Sequence, residues 1–482
     1  MDHRDALSAF TGARILVLGD CMVDEYLTGD CSRLSPEAPV PILRVDPDKT
    51  RRVLGGAANT AANIASLGGT PVLFALHDPL DGAGRSFADL CRATGIDVVP
   101  FADGRPTMVK TRLVGQQQQL LRLDREDTRD LSPDTEAAVL AAFRAALPAA
   151  AAVVLSDYAK GFLTASLTPA LIREARAAGK PVILDPRPQH GPRYHGADYV
   201  TPNWKESLGL LGWSERAATP ENVKAVGDAL RALLGAHVLL TLGPAGIALF
   251  DRDSGEHFHM PTAAREVFDV SGAGDTVVAA FTLARATGQE PRVAVEIANR
   301  AAGLVVAKLG TATVTREEIL RDALEGDRLV ARDRLAPLAA LLRAQGKRVA
   351  TINGSFDLLH AGHLHILEDA RRQGDVLIVG LNSDASVKRY KSADRPLIGE
   401  ADRARMLLAL RSVDYVHIFD EDVPMPFLEE VKPDVHTNGS EYGAECVEAP
   451  TVKKHGGRIH IVEKVPGLST SAIVERIKGM AS

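Results

Sequence analysis

The sequence is poor in cysteine, and this scarcity excludes a disulfide framework. Its 482 residues include four cysteines, and none of them stands at a spacing typical of metal ligands. A chain of this length would need more bridges to be built on disulfides. We therefore expect four free thiols, at Cys21, Cys31, Cys91 and Cys446.

Long hydrophobic runs and a strong charge of either sign are also missing. No apolar run approaches the roughly 20 residues of a membrane-spanning helix, and the first residues, MDHRDALSAF, lack a basic region followed by an apolar one. A net charge of -6 gives no general reason to bind nucleic acid or an anionic membrane. With 45% hydrophobic and 24% charged residues, the sequence predicts a globular cytoplasmic protein without nucleic-acid or membrane partners.

Short apolar runs alternate with helical patterns over the first two thirds of the chain. Helical patterns such as PDTEAAVLAAFRAAL and TPALIREARAAG lie between many of the strand candidates, which are RILVLGD, AAVVLSD, PVILDP, HVLLTLG and GIALF. This alternation predicts an α/β fold with a mostly parallel sheet covered by helices. Residues 22–41 and the stretch TMVKTRLVGQQQQLLRLD fit the scheme less well and predict extra strands outside the main sheet, in the manner of a lid.

The pattern changes near Val314, where a long charged and apolar helical run begins. A new strand candidate, KRVATING, follows that run, and DVLIVGLNSD, VDYVHIFDE, KPDVHTNG and GRIHIVEKV again alternate with helical patterns. The sequence therefore predicts a first domain over residues 1–318, a helical linker over 319–345 and a second, smaller α/β domain over 346–482.

The stretch FDVSGAGDTVVAAF, Phe268 to Phe281, leads from an extended segment into a helical pattern. Gly272 and Gly274 allow a tight turn, and the new helix offers unsatisfied N–H groups to an anion such as a phosphoryl group. Asp275 would sit at the start of the helix, where a carboxylate can take the proton of an attacking hydroxyl. An ordinary strand-to-helix turn with Asp275 as a helix cap is the alternative.

Two further glycine-rich stretches precede this one in the chain. They are GGAANTAANIASLGG, from Gly55 to Gly69, and TLGPAG, from Thr241 to Gly246. With the three stretches in this order, the first two thirds of the chain resembles the ribokinase family of sugar kinases. The resemblance implies a three-layer α/β/α domain with a small β lid, in which Asp275 is the catalytic base. It also implies an anion hole for the γ-phosphate, formed by the backbone amides of Gly272, Ala273 and Gly274.

The same resemblance implies roles for other residues of the first domain. The sugar hydroxyls would be held by Asp24, Gly55, Gly56 and Asn59. Magnesium, phosphate and nucleotide would be organised by Asn203, Glu206, Thr241, Gly243, Gly246 and Asn299. Structural alternatives exist, since Asp24 suits a turn, Asn203 a helix cap, and Asn59 a buried amide satisfied by backbone. For Asn299 a purely structural role is equally open.

Three stretches, PTMVKTRLVGQQQQLLRLDRED, LSDYAKGFL and DPRP, resemble the members of the family that act on heptose 7-phosphate. A substrate that already carries a phosphate needs cationic partners. Lys160 is the first candidate and Arg112 the second, and Lys110 and Arg187 are also available. Any of the four could instead be a solvated surface charge.

In the second domain, NGSFDLLHAGHLHIL, Asn353 to Leu367, places two histidines three residues apart after a strand candidate. His360 and His363 would share one face of a helix that begins near Ala361. A zinc site would need a third protein ligand, which no recognised spacing supplies, and core packing would need satisfied ring nitrogens. We favour a phosphate site, where protonated or strongly donating imidazoles stabilise charge on phosphorus as pyrophosphate departs.

His360, Ala361, Gly362 and His363 match the His-x-Gly-His motif of the nucleotidyltransferase superfamily, which has a smaller Rossmann-like domain. The stretch PGLSTSAIVERI resembles the superfamily's Ile-Ser-Thr-Thr segment, although Leu468 and Ser471 depart from it. The resemblance implies that His360 and His363 are catalytic. It also implies a nucleotide and phosphate site formed by Asn353, Gly354, Ser355, Phe356, Lys388, Lys391, Arg395, Ser469, Thr470 and Ser471.

A sugar kinase followed by a nucleotidyltransferase is the arrangement of the family of bifunctional heptose 7-phosphate kinases and heptose 1-phosphate adenylyltransferases. This resemblance implies phosphorylation of D-glycero-β-D-manno-heptose 7-phosphate at O1 with ATP. After a separate phosphatase has acted, ATP and heptose 1-phosphate would give pyrophosphate and ADP-heptose for the lipopolysaccharide inner core. Mg2+ would be the cofactor, although the motifs do not identify its protein ligands. The partners would be these small molecules and further copies of the chain in a homo-oligomer.

Three alternatives stay open at this point. Asn438, in HTNGSEY, stands where the family usually has a lysine, although Lys453 and Lys454 follow nearby. The acceptor could therefore differ, and a cytidylyltransferase that uses CTP is an alternative. The chain could also be a catalytically silent sugar-phosphate sensor, or a kinase whose second domain only mediates assembly.

Overall fold

The computed structural model describes residues 3–463 except for nine positions, so the predicted phosphate-binding residues Ser469, Thr470 and Ser471 lie outside the described residues. The nine positions are Gln117, Arg265, Glu266, Leu309, Asp327, Ala393, Glu441, Tyr442 and Ala444. The chain divides into two compact units, Met1–Leu320 and Arg321–Ser482. Among the described residues, no helix combines the length and the apolar composition that crossing a membrane requires.

Two sheets organise the N-terminal unit. Its strands are β1 (Arg14–Gly19), β2 (Cys21–Leu34), β3 (Pro41–Val45), β4 (Arg51–Gly56), β5 (Thr70–Leu76), β6 (Asp97–Phe101), β7 (Val109–Gly115), β8 (Gln118–Arg125), β9 (Ala152–Ser156), β10 (Val182–Asp185), β11 (Tyr199–Val200), β12 (His237–Thr241), β13 (Ile247–Phe250) and β14 (His257–Met260). The larger sheet has nine strands in the order β14-β13-β12-β11-β10-β9-β1-β5-β6. It is parallel except where β13 pairs with β12 and β14, which confirms the predicted mostly parallel sheet.

Helices cover both faces of this sheet. They are α1 (His3–Ser8), α2 (Ala57–Ser66), α3 (Gly82–Ala93), α4 (Pro133–Ala146), α5 (Leu167–Ala177), α6 (Trp204–Leu211), α7 (Pro220–Leu234), α8 (Ala273–Ala286), α9 (Pro291–Val305) and α10 (Arg316–Gly326). Successive side chains of β1 show the layering, because Ile15 and Val17 belong to one apolar cluster and Leu16 and Leu18 to another. Helices α2, α8 and α9 contribute to the first cluster, and α4, α5 and α7 to the second. This is the three-layer arrangement that the resemblance implies.

The smaller sheet contains the two segments predicted to lie outside the main one, as β2, β7 and β8, together with β3 and β4, which the sequence did not predict. Its order is β3-β2-β7-β8, and β4 also pairs with β2. Strands β2 and β7 are parallel, with Asp24 beside Lys110 and Tyr26 beside Arg112. The register therefore places an acidic residue and two basic residues of the lid next to one another.

The C-terminal unit contains one parallel sheet. Its elements are α11 (Arg332–Ala344), β15 (Val349–Gly354), α12 (Ala361–Arg372), β16 (Val376–Asn382), α13 (Asp384–Tyr390), α14 (Glu400–Leu408), β17 (Tyr415–Phe419), α15 (Met425–Val431), β18 (Val435–Gly439), α16 (Ala449–Lys454) and β19 (Arg458–Val462). The strand order is β17-β16-β15-β18-β19. The chain leaves β15 for β16 on one side and returns to β18 on the other, and ligands bind at such switch points in open α/β sheets.

Helix α11 packs into the core of the C-terminal unit, although its residues fall in the segment predicted as a linker. Its buried side chains are Leu335, Leu338, Ala339 and Leu342. They share an apolar cluster with residues of the sheet because they recur on one face of the helix. The two units divide between Leu320 and Arg321. The exact domain boundaries at 318 and 346 stay a prediction.

Candidate active sites

Asp275 lies in the first turn of α8, and its carboxylate accepts three hydrogen bonds. Oδ1 accepts from Thr60 Oγ1 at 2.9 Å and from Tyr158 OH at 2.8 Å, and Oδ2 accepts from Asn59 Nδ2 at 2.7 Å. Gly272 is the residue that caps the helix, so Asp275 is not the helix cap of the alternative interpretation. The three donors fix both oxygens in position.

The electrostatic surroundings of Asp275 suit a proton acceptor. Burial raises the pKa of Asp275, while hydrogen bonds from Asn59, Tyr158 and Thr60 and the charge of Arg187 oppose that rise. A carboxylate with a raised pKa binds a proton more readily than one in water, and enzymes tune general bases in this way.

The predicted anion hole lies directly before and within the start of α8. Gly272 has a φ of 79°, in the left-handed region that favours glycine. A Cβ at Gly272 would lie 2.9 Å from Asn59 Nδ2, whereas a Cβ at Gly274 would meet nothing within 4 Å. The backbone at Gly274 is therefore open to a ligand, beside the unsatisfied N–H groups that begin any helix.

A cavity of about 190 Å³ lies against Asp275. Its lining includes all four residues predicted to hold the sugar, Asp24, Gly55, Gly56 and Asn59. A Cβ at Gly55 would lie 2.6 Å from Asp24 Oδ2, so only glycine leaves that carboxylate its position. The other lining residues are Met22, Lys110, Arg112, Tyr158, Ser271, Gly272, Asp275 and Thr311.

The two cations ranked first for the substrate phosphate are both neutralised by carboxylates. Arg112 Nη1 lies 2.6 Å from Asp24 Oδ1, and Lys160 Nζ lies 2.6 Å from Glu126 Oε1. Arg112 lines the cavity and Lys160 does not. Glu126 therefore holds Lys160 outside the cavity lining, although the charge of Lys160 acts on Lys110, and a role for Lys160 stays a prediction.

Lys110 and Arg187 lie over the ring of Tyr158. Their terminal charged groups are 6.0 Å and 4.8 Å from the ring centroid, respectively. Arg187 forms an ion pair with Glu206, whereas no ion pair of Lys110 is found within the described part of the chain. Burial lowers the pKa of Lys110, as expected for a partly desolvated cation. Lys110 thus lines the cavity without a close ion pair in the described part of the chain, although the charges of Asp24 and Asp124 act on it.

Most residues predicted for nucleotide binding lie at or after the carboxyl ends of β11 and β12, and Asn299 lies in α9. Asn203 and Glu206 form a reciprocal capping box at the start of α6, with both side chain to backbone distances at 2.9 Å. Asn203 thus does serve as a helix cap, and an isolated bridge pairs it with Thr241. Gly246 has a φ of 98°, and a Cβ there would lie 2.1 Å from a backbone carbonyl oxygen.

Gly243 and Asn299 complete this set. Gly243 also has a positive φ, 57°. Asn299 Nδ2 donates to the Pro261 carbonyl oxygen at 2.7 Å. The amide of Asn299 is therefore engaged with backbone, which is its structural alternative, and a nucleotide role for this residue stays a prediction.

Tyr158 and Thr60 are site residues that the sequence analysis missed. Thr60 follows the predicted Asn59, and Tyr158 lies in the LSDYAKGFL stretch, from which Lys160 was selected. A lone tyrosine in a loop resembles a core residue, and no spacing links it to an aspartate far along the chain. The sequence signal that could have identified Thr60 and Tyr158 is their position inside the stretches GGAANTAANIASLGG and LSDYAKGFL.

In the C-terminal unit, the two histidines stack at the start of α12. His360 is the N-cap and His363 lies in the first turn, with ring centroids 3.9 Å apart and 22° between the ring planes. Phe356 precedes them with a φ of 44°, a conformation that is strained for a bulky residue. A tight turn after β15 therefore presents both imidazoles at one edge of the sheet.

Burial favours the neutral form of both imidazoles. Burial lowers the pKa of His360, and burial together with the charges of His360 and Lys391 lowers that of His363 to about 4. Of the two predicted forms, the structure therefore favours the neutral, donating imidazole over the protonated one.

Three polar atoms at this site are buried without a hydrogen-bond partner among the described residues. They are Asn353 Oδ1, His360 Nδ1 and His363 Nδ1. Buried polar atoms in folded proteins nearly always have a partner, and core histidines are satisfied ones. The core-packing alternative is therefore not supported, and the three atoms are suited to meet a polar ligand.

Two of the three predicted cations reach the loop after β15. Lys391 Nζ donates to Ser355 Oγ at 2.8 Å, and Arg395 Nη1 lies 2.6 Å from Asp357 Oδ2. Lys388 lies exposed on α13. Lys391 is thus joined to a predicted phosphate-binding serine, while Arg395 is held by a buried carboxylate.

Arg403 is a buried structural cation that the sequence analysis missed. Its guanidinium donates to the carbonyl oxygens of Ser355, Asn382 and Ile398 at 2.6, 2.9 and 2.8 Å. It also donates to Asp384 Oδ1 at 2.6 Å. Arg403 therefore ties the loop that carries Ser355 to three other segments. In the helical pattern EADRARMLLAL an arginine resembles a surface charge.

Asn438, the departure from the usual lysine, is buried at the end of β18. Its Nδ2 donates to Glu448 Oε2 at 3.1 Å. The position thus supplies a hydrogen-bonded amide and no positive charge.

A zinc site at His360 and His363 is not supported. In the described part of the chain, three metal-ligating atoms come within 4.8 Å of one another only at His237, Asp251 and Asp253 of the N-terminal unit.

Sequence comparisons agree with this division of chemistry. Residues 13–318 match the pfkB family of carbohydrate kinases, and residues 351–476 match the cytidylyltransferase-like family. "Bifunctional protein HldE" of Azorhizobium caulinodans is 43% identical over 97% of this chain and 98% of its own length. The protein of the same name from Pseudomonas aeruginosa is 43% identical over 98% of this chain and 99% of its own length.

Solved structures similar to the chain share the fold of the N-terminal unit. Ribokinase of Arabidopsis thaliana complexed with ribose and ATP superposes with a TM-score of 0.51 and 23% identity, over 64% of this chain and 98% of the plant enzyme. Phosphofructokinase-2 of Escherichia coli gives a TM-score of 0.54 at 18% identity, over 64% of this chain and 97% of that enzyme. At these identities the likeness concerns the fold alone.

Proposed function

This chain belongs to the family of bifunctional HldE proteins, with a pfkB-family carbohydrate kinase as its first part, and from that membership we propose that it makes ADP-heptose by two reactions. The N-terminal unit phosphorylates D-glycero-β-D-manno-heptose 7-phosphate at O1 with ATP. The C-terminal unit transfers AMP from ATP to heptose 1-phosphate and releases pyrophosphate. The product serves synthesis of the lipopolysaccharide inner core.

In the first reaction, Asp275 takes the proton of the sugar O1 hydroxyl as O1 attacks the γ-phosphorus of ATP. The bond between that phosphorus and the bridging oxygen breaks, and ADP leaves. Backbone N–H groups at Gly272, Ala273 and Gly274 hold the phosphoryl oxygens. The support for these roles is that Asp275 faces the cavity that Asp24 and the glycines line.

In the second reaction, a phosphate oxygen of heptose 1-phosphate attacks the α-phosphorus of ATP, and pyrophosphate leaves. No protein nucleophile is needed, so the work of the site is alignment and charge stabilisation. Neutral His360 and His363 donate to phosphate oxygens, and Lys391 adds a positive charge beside Ser355. Three buried atoms without described partners support a polar ligand at this place.

Both reactions are proposed to use ATP with Mg2+, and one residue of the kinase site has the right chemistry to help hold the ion. Glu206 offers carboxylate oxygens, which Mg2+ prefers. One oxygen accepts from the Asn203 N–H at 2.9 Å and the other from Arg187, and these two contacts hold the carboxylate in place. When bound, Mg2+ neutralises charge on those phosphates.

Lys110 is proposed to bind the 7-phosphate of the sugar in place of Lys160. Lys110 lines the cavity and has no described ion pair, whereas Lys160 is held by Glu126 at 2.6 Å. A partly desolvated cation that no carboxylate holds in a close ion pair keeps its donors available to a phosphate. Arg112 is less suited because Asp24 neutralises it.

One observation supports the proposal most directly, namely that Asp275 faces a cavity in one unit while His360 and His363 stack at the start of a helix in the other. Kinase activity is measured as ADP formation from ATP and heptose 7-phosphate, and adenylyl transfer as pyrophosphate release from ATP and heptose 1-phosphate. Asp275→Asn should abolish the first and spare the second, and His363→Ala should do the reverse. A wild-type protein without either activity would contradict the proposal and favour the sugar-phosphate sensor.

The nucleotide of the second reaction is proposed to be ATP, and CTP is the competing substrate. CTP is an alternative because Asn438 replaces the usual lysine and because the C-terminal unit matches a cytidylyltransferase-like family. Pyrophosphate release is therefore measured with each nucleotide at equal concentration. Selective release from CTP would reassign the C-terminal unit as a cytidylyltransferase, and release from neither would support a purely structural second unit.

A homo-oligomer is proposed as well, formed through the lid sheet. Strand β8 is exposed along its whole length, and Leu121 and Leu123 are each 52% exposed. Leu34 at the end of β2 is 67% exposed. Apolar side chains on an open sheet are typical of contact surfaces. Light scattering should show a smaller particle for Leu121→Glu than for the wild type, and a monomeric wild type would refute this assembly.

A further inference from the structure

We infer that Tyr158 is a positioning residue for phosphoryl transfer, whose phenol holds Asp275 charged and oriented before the sugar binds. The inference rests on the proposed kinase activity and adds to it a residue that the sequence analysis did not assign to the site. Tyr158 OH donates to Asp275 Oδ1 at 2.8 Å, and Tyr158 lines the same cavity as the base. It therefore acts on the reaction through Asp275.

The phenol of Tyr158 is a permanent donor. Burial, with the charges of Asp275 and Asp185 nearby, raises the pKa of Tyr158 well above its usual value. The O–H group thus keeps its proton throughout the working range of an enzyme. Since Thr60 donates to the same oxygen from α2, Tyr158 supplies the second donor from the loop after β9.

Side chains and backbone fix the ring in place. Lys110 and Arg187 lie over it at 6.0 Å and 4.8 Å from the centroid, within or near the range of cation–π attraction. The backbone N–H groups of Tyr158 and Lys160 donate to Asp20 Oδ2 at 2.9 Å and 3.0 Å. The loop is thereby tied to a buried carboxylate behind it, and the phenol cannot easily turn away.

A second buried carboxylate supports the same loop and provides a matched comparison. Asp157 Oδ2 accepts from Tyr194 OH at 2.7 Å, and Asp157 Oδ1 accepts from the Ala159 N–H at 2.7 Å. Tyr194 thus makes the same kind of bond as Tyr158, in the same region, to a carboxylate that does not line the cavity. The two tyrosines reach different aspartates, and the Tyr194 hydroxyl also accepts from the Arg187 backbone N–H at 2.8 Å.

The negative charge on Asp275 needs this hydrogen bond because both acidic and basic groups surround it. The charged groups around it are Asp24, Asp185, Lys110, Arg112 and Arg187. Burial opposes ionisation of Asp275, and each hydrogen bond favours it. Removing the phenol oxygen leaves Oδ1 with Thr60 alone and makes Asp275 easier to protonate. Since the base must be unprotonated to act, activity should then fail at a higher pH than in the wild type.

The test is the pH dependence of kcat/KM for heptose 7-phosphate in Tyr158→Phe, which keeps the ring. The acidic limb of the profile should move upward by about 1 pH unit, as expected for one lost hydrogen bond to a charged group, with KM nearly unchanged. The control, Tyr194→Phe, should leave the limb in place even if it lowers thermal stability.

Other outcomes are equally clear. An equal loss of kcat/KM at every pH, with the limb unmoved, would overturn the inference and leave Tyr158 a structural residue. If Tyr158→Phe does not fold, 3-fluorotyrosine at position 158 is a stronger donor and should move the limb downward, and an unmoved limb there would also overturn it. A wild type without kinase activity would instead refute the proposed function itself.

Discussion

The two candidate active sites prepare for phosphate chemistry in opposite ways. In the N-terminal unit, the carboxylate of Asp275 accepts three hydrogen bonds from protein groups. In the C-terminal unit, Asn353 Oδ1, His360 Nδ1 and His363 Nδ1 are buried with no partner among the described residues. A general base has to be charged and oriented before its substrate arrives, so the protein itself supplies the donors. Groups that bind phosphate oxygens have to keep their hydrogen-bonding capacity for the ligand.

The difference has an energetic consequence. A buried polar group without a partner costs about 1–3 kcal/mol, so the histidine site needs support from the rest of its unit. Arg403 gives that support through four hydrogen bonds behind the loop of Ser355. In the kinase site, the side chains that hold Asp275 line or border the cavity itself.

The strongest way to break the comparison is to remove the base. Asp275→Asn keeps the size of the side chain and loses the proton acceptor, so ADP formation should fall by roughly 10²- to 10⁴-fold. Pyrophosphate release by the C-terminal unit, measured on the same preparation, is the control and should not change. A parallel loss of both activities would mean that the two sites are not independent.

Removal of Arg403 should lower the free energy of unfolding of the C-terminal unit and leave the N-terminal unit unchanged. Arg403→Leu removes a fully buried guanidinium that donates to Asp384 and to three carbonyl oxygens, and a buried polar group left without its partner costs about 1–3 kcal/mol. The free energy of unfolding is measured by denaturant titration, with the loss of adenylyl transfer as the signal that reports unfolding of the C-terminal unit. Arg389→Leu, which breaks an exposed pair with Asp422, is the matched control and should cost under about 1 kcal/mol. Equal effects of the two variants would argue against a supporting role for Arg403.

Two lysines sharpen the description of the kinase cavity. Lys110→Met should raise KM for heptose 7-phosphate by about 10- to 100-fold, the loss expected for one charge-assisted contact. Lys160→Met should change it less than about threefold, because Lys160 is already paired with Glu126. Initial rates at several sugar concentrations give both values. A larger effect at Lys160 would restore the ranking that the sequence predicts.

The smallest expected effect concerns pH. The pKa of His363 is lowered to about 4, so its ring stays neutral between about pH 6 and about pH 8, and burial lowers the pKa of His360 as well. Protonation sets in only as the pH falls further, and pyrophosphate release should vary less than about threefold over that interval. A steep rise in rate towards pH 6 would show that a protonated imidazole is the active form.

The order of local patterns predicts much of this protein. Apolar runs such as RILVLGD become strands because side chains that alternate along them bury on both faces of a sheet, as Ile15 and Leu16 do. A glycine turn before a helical pattern places Asp275 in the first turn of α8, and the histidine spacing places His360 and His363 at the start of α12. These features depend on neighbours close in sequence.

The sequence by itself therefore determined the α/β class, the two chemistries and the residues at the helix starts. Only the tertiary structure decided which charges are neutralised, as with Lys160 and Lys110, and which polar groups meet across long separations. Tyr158 and Asp275 are 117 residues apart, and Arg403 lies 48 residues beyond the Ser355 carbonyl it binds. The physical reason is that ion pairing and burial depend on strand order, register and packing, which no local periodicity encodes.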